Sequence, residues 1–131
     1  MLIDSHCHLN YLDDPDGAIE RARQSGVSSC LCISVDEQGY AGVIGLASTH
    51  DDVWATAGVH PDAADGNLHW IEGALSHDRV VAVGETGLDY FHASEQAVQA
   101  RQREAFAYQL DLAVKNTCLL YTSDAADDRS C

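Results

Sequence analysis

The chain has 131 residues, 46% of them hydrophobic, enough apolar material for one small domain or part of a larger one. Its 21 acidic residues against 7 Lys and Arg give a formal charge of −14, which excludes the basic footprint of a protein that grips nucleic acid by electrostatics alone. There is no apolar run of about 18 residues to cross a membrane, and Met1-Leu2-Ile3-Asp4 has none of the features of a secretory signal, so the expected location is cytoplasmic.

Read in chain order, strand and helix signals alternate. Leu2 and Ile3 open a strand expected to end near His6. Asp14 or Asp16 can cap a helix over residues 17–25, with Gly26 as its stop signal. The apolar run 27–34 predicts a buried strand. Asp36 can cap a second helix to residue 49, weakened by Gly39, Gly42 and Gly45. Residues 53–59 predict a third strand, closed by His60-Pro61, and 68–77 a third helix. A fourth strand is expected over 80–84 and a long helix over 94–116, where neither Gly nor Pro interrupts. Four such units imply a parallel sheet of the α/β class, which is half of an eightfold barrel. The half barrel carries two unpaired sheet edges, which predicts aggregation or pairing between copies.

Residues 118–121 can form a fifth strand, but the stretch 118–131 otherwise breaks the pattern. We expect the native domain to occupy 1–117 and residues 118–131 to be a non-native tail from adapter read-through. The five cysteines (Cys7, Cys30, Cys32, Cys118 and Cys131) form no C-x-x-C pair, and their odd number favours free thiols in a reducing compartment.

Three motifs carry chemistry, and each sits at the end of a predicted strand. His6 and His8 alternate onto one face, where two imidazoles can share a divalent cation. Asp4 falls on that face and could orient a ligand, whereas Cys7 points the other way as a structural thiol. Glu85 ends the fourth strand, at the mouth where barrels place catalysis, and its two oxygens can bridge two metals. His60 ends the third strand, where it could contact substrate or position a phosphate. Asp89 can cap a turn and Tyr90 can pack. His50, His69, His77 and His92 read as surface residues.

Asp4-Ser5-His6-Cys7-His8-Leu9, Gly58-Val59-His60-Pro61 and Gly84-Glu85-Thr86-Gly87-Leu88-Asp89-Tyr90 together resemble the signatures of the TatD deoxyribonuclease family. Gln102, Phe106, Gln109, Leu110 and Ala113 are similar to that family's long helix. The resemblance implies a TIM (β/α)8 barrel of which this chain holds the first four units. It implies one or two divalent ions, Mg2+, Mn2+ or Zn2+, held by His6, His8 and Glu85. It implies His60 beside the substrate, Glu85 as the catalytic carboxylate, and hydrolysis of DNA phosphodiesters from a 3′ end. DNA is then the partner, with neither a membrane nor a stable protein partner expected.

The family pattern continues with a His after the fifth strand, a His after the sixth and an Asp after the eighth. Thr122 and Ser123 stand where the first is expected, so this chain alone is expected to be inactive or nearly so. The competing readings are a related barrel enzyme cleaving amides or esters, a non-enzymatic fragment, and an acidic interaction module. The last leaves the strand-end motifs unexplained.

Overall fold

The computed structural model describes residues 1–123. Five parallel strands stand in sequence order: β1 (Leu2–Cys7), β2 (Val27–Cys32), β3 (Val53–Ala57), β4 (Val80–Thr86) and β5 (Leu119–Thr122). Between them lie α1 (Pro15–Gln24), α2 (Glu37–Thr49), α3 (Trp70–Ala74) and α4 (Gln96–Lys115). Parallel neighbours need crossover helices, and crossovers of one hand between successive neighbours place every helix on the same face. The sheet therefore curls into half of a barrel, as the four-unit pattern predicts, with a fifth strand added. β5 is the strand foreseen at 118–121. The expected change of character at residue 118 falls just before it, and 124–131 lie outside the described residues.

Local chemistry explains most element ends. Asp14 caps α1 by accepting from the Gly17 N–H at 3.0 Å, with Pro15 supplying the first helical residue. Asp36 caps α2 by accepting from the Gly39 N–H at 2.7 Å. α2 tolerates its glycines because Val43 and Ala47 bury one face against the sheet. Gly26, past the end of α1, takes φ +91°, a conformation that side chains resist. α3 is shorter than the 68–77 expected. Gly73 lies within it, and Ser76 Oγ donates to the Gly73 carbonyl at 2.7 Å just past its end.

The core lies between the sheet and the helices. Ile19, Val43, Ile71 and Leu112 pack onto Cys32, Val53, Ala55 and Val83. Burying such side chains stabilises by roughly 1.5–3 kcal/mol each. The opposite, concave face is apolar and open along β1, where Ile3 is 64% exposed beside Leu31 and Trp54. At the N-terminal end of the sheet the Arg79 guanidinium lies 3.7 Å over the Trp54 ring and donates to the carbonyls of Asp51 and Val53 at 2.6 Å each. His50, read from sequence as a surface residue, is instead half-buried. It joins Asp16 at 2.7 Å and the Arg23 guanidinium at 3.2 Å, tying α1 to the end of α2. Among the described residues no helix is long and apolar enough to cross a membrane.

Candidate metal centre

The strands deliver their C-terminal ends to one mouth. β1 ends at Cys7, and His8, just past the strand with φ −122° and ψ 62°, turns its ring back toward that of His6. Their Nε2 atoms stand 3.0 Å apart. Glu85, near the end of β4, is buried at 7% exposure, and its Oε2 lies 3.6 Å from His6 Nε2. The ligand atoms of His6, His8 and Glu85 all lie within 4.8 Å of one another. The Gly84–Glu85 peptide leading into the carboxylate is cis.

Both imidazoles are oriented from behind. His8 Nδ1–H donates to the Ile33 carbonyl at 3.2 Å, which leaves the Nε2 lone pair facing inward. His6 Nδ1 meets the Tyr121 hydroxyl at 3.0 Å, again leaving Nε2 toward the cluster. Asp4 does not orient either ring. Its Oδ1 accepts from the backbone N–H of His6 at 3.1 Å, and the carboxylate is exposed. Cys7 stays out of the cluster, as expected, and its thiol donates to the Leu31 carbonyl at 3.3 Å. The interaction with the Cys32 thiol, and then burial, push Cys7 well above the ordinary thiol range.

His60 approaches from the third strand. Its Nε2 lies 3.8 Å from Glu85 Oε1, and its Nδ1–H donates to Asp62 Oδ1 at 2.7 Å. The Asp62 N–H also points at this nitrogen, at 3.2 Å, but one ring nitrogen cannot donate and accept at once. The shorter contact to a carboxylate makes it the donor. Two buried glutamines on α4 hold the loops that carry the site. Gln109 accepts from the Val59 N–H at 2.8 Å and donates to the Val59 carbonyl at 3.1 Å, beside His60. Gln102 does the same for Asp89, at 2.8 and 3.1 Å. Asp89 in turn caps its turn, accepting from the His92 N–H and ring Nδ1 at 3.2 and 2.7 Å. Tyr90 remains 40% exposed and accepts from Arg103 at 2.9 Å.

The donor set fits a divalent ion. Two imidazole nitrogens and one carboxylate are what such ions take from proteins. Among the described residues the buried Glu85 carboxylate receives no hydrogen bond, and the Nε2 atoms of His6 and His60 stand 3.6 and 3.8 Å from its oxygens. A buried carboxylate without donors is costly, and a cation removes that cost.

Of the residues that the sequence singled out, the structure brings His6, His8, His60 and Glu85 to one mouth, and the glutamines noted without a role hold its loops. Sequence reasoning missed Tyr121 and the Ile33 carbonyl, which reach the imidazoles through lateral strand register.

Known proteins resemble this chain along most of its length. A family model described as TatD related DNase matches residues 3–124. The chain is 32% identical to "Uncharacterized metal-dependent hydrolase YabD" of Bacillus subtilis, over 98% of this chain and 53% of that protein. It is 36% identical to "3'-5' ssDNA/RNA exonuclease TatD" of Edwardsiella piscicida, over 78% of this chain and 40% of that one. The crystal structure of the TatD homologue YjjV from Escherichia coli superposes with a TM-score of 0.81 at 29% identity, covering 97% of this chain and 52% of that chain. The chain thus spans about half the length of the relatives it matches. Matched along nearly its whole length by the family model and sharing a third of its residues with such relatives, the chain belongs to the TatD-related DNase family.

Proposed function

We propose that this chain carries the first half of the active site of a divalent-metal-dependent hydrolase that cleaves phosphodiester bonds of DNA from the 3′ end. The observation that carries the reading is the convergence of His6 Nε2, His8 Nε2 and the buried Glu85 carboxylate at the strand mouth. His6 and His8 would hold the ion through Nε2, and Glu85 would complete the set with one oxygen and offer the other on the His60 side. When bound, the ion supplies Lewis-acid stabilisation of charge developing on a phosphoryl oxygen. His60, fixed by Asp62 and by the Gln109 clamp on Val59, would meet the substrate phosphate beside it.

The charge distribution supports a metal-anchored substrate. Arg21 pairs with Asp14, Arg23 with Asp52, and Lys115 with Asp111, while Arg79 caps backbone carbonyls at the opposite end of the sheet. These four cations are already engaged with carboxylates or carbonyls, which leaves the bound ion as a principal electrostatic partner for the phosphate. The exonuclease name of the Edwardsiella relative favours nucleic acid over an amide or ester substrate.

The test is hydrolysis of single-stranded DNA with added Mn2+ or Mg2+, comparing residues 1–131 with the chain extended to the relatives' length. Stepwise loss of 3′ nucleotides by the extended form, little or none by residues 1–131, and abolition by Glu85→Ala are expected. Cleavage of amide or ester substrates in place of DNA would reject the nuclease reading.

A further inference from the structure

We infer that Thr56 is a positioning residue for the metal centre, acting through the peptide group that leads into Glu85. The inference rests on the metal-binding reading of His6, His8 and Glu85 and adds a residue to it. Thr56 is in β3, between β2 and β4, and is fully buried, as is Ser34 just beyond β2. Its hydroxyl accepts from the Ser34 N–H at 3.0 Å and donates to the Gly84 carbonyl at 2.6 Å. Ser34 answers on both sides. Its Oγ donates to the Thr56 carbonyl at 2.7 Å, and its own carbonyl accepts from the Glu85 N–H at 2.7 Å.

The Gly84–Glu85 peptide therefore has its C=O held by Thr56 and its N–H held by Ser34. No other side chain donates to that carbonyl among the described residues. This peptide sets the position of the Glu85 Cα, and the carboxylate follows one short side chain away. The strand spacing is forced too. A Cβ on Gly58 would stand 2.4–2.5 Å from the Gly84 backbone, so β3 and β4 meet with no side chain between them. Within that contact a hydroxyl on Thr56 is the group that reads the peptide. A methyl in its place would fill the volume and leave Ser34 N–H and Gly84 C=O unpaired in the core, free to pull the peptide toward other partners.

Thr56 touches neither the ligand atoms nor a substrate, so its effect must appear in how tightly the ion is held. The experiment titrates Mn2+ into residues 1–131 and follows the free-ion signal by electron paramagnetic resonance. His6→Ala defines binding at the site. Mn2+ is a hard ion that the thiols do not compete for. Circular dichroism in the presence of a chelator checks that each variant is folded.

Thr56→Ser keeps the hydroxyl and is expected to bind within about threefold of wild type, whereas Thr56→Val is expected to bind at least tenfold more weakly while remaining folded. If Thr56→Val does not fold, Thr56→Cys takes its place, because a thiol fills the site but bonds poorly, and the same tenfold loss is expected. Ile71→Val, a core change away from the site, is expected to leave the affinity unchanged. Equal affinity in wild type and in the folded Val or Cys variant would overturn the inference and leave the metal centre standing. Absence of His6-dependent Mn2+ binding in wild type would overturn both.

Discussion

His6 Nε2 and Glu85 Oε2 stand 3.6 Å apart although their strands, β1 and β4, are separated in the sheet by β2 and β3. A flat sheet would hold those strands near 14 Å apart, three spacings of about 4.8 Å. Curling of the half barrel and inward-reaching side chains close that gap, so the metal centre is a product of sheet curvature as much as of the motifs.

Removing the charge of Glu85 should have opposite effects with and without metal. In chelator, Glu85→Gln is expected to match wild-type stability or exceed it by about 1 kcal/mol, because the variant buries an amide in place of an uncompensated carboxylate. At a Mn2+ concentration near 100 Kd, wild type should gain about 2.7 kcal/mol and the variant nearly nothing. Urea unfolding in both buffers checks this. Equal metal stabilisation of both proteins would exclude Glu85 as a ligand.

The α4 glutamines should matter for stability more than their polarity suggests. Gln109→Leu preserves volume but strips partners from both backbone groups of Val59. Each buried group left unpaired costs roughly 1–3 kcal/mol, so a loss of about 2–4 kcal/mol is expected, with faster amide exchange at Val59. Hydrogen exchange reads this directly. An unchanged Val59 amide would show that the loop is held by other contacts.

Acid should release the Arg23–Asp52 link. The Arg23 guanidinium bonds both Asp52 oxygens at 2.7 Å and holds that carboxyl below its ordinary value of 3.8. A folded value below the unfolded one means that the stabilisation is fully present above the ordinary carboxylate range. It is lost as the pH falls through the lowered value. The part of the stability difference between wild type and Arg23→Gln that comes from Asp52 should therefore shrink toward zero as the pH falls below about 5. A difference that grew on acidification would contradict the assignment.

The strand ends were legible because hydrophobic runs, caps and punctuation are local. Alternation predicted His6 and His8 on one face, and the apolar run before Glu85 set its place at the mouth. The parts that sequence did not disclose depend on which strands lie side by side and in what register. Tyr121 reaches His6 from the far edge of the sheet, and Thr56 meets Gly84 because Gly58 lets two backbones touch. Asp4 shows the converse. Its position in the alternation suited an orienting role, but a register shift between Asp4 and Cys7 breaks that alternation, and its carboxylate accepts from the His6 backbone N–H instead. His50 was misjudged because its partners, Asp16 and Arg23, arrive from a different helix.

The most direct test of the metal centre is an anomalous-difference map from crystals of this chain grown with Mn2+. A peak bounded by His6 Nε2, His8 Nε2 and the Glu85 carboxylate is expected. A map with no density there, or with the ion held by other residues, would contradict it.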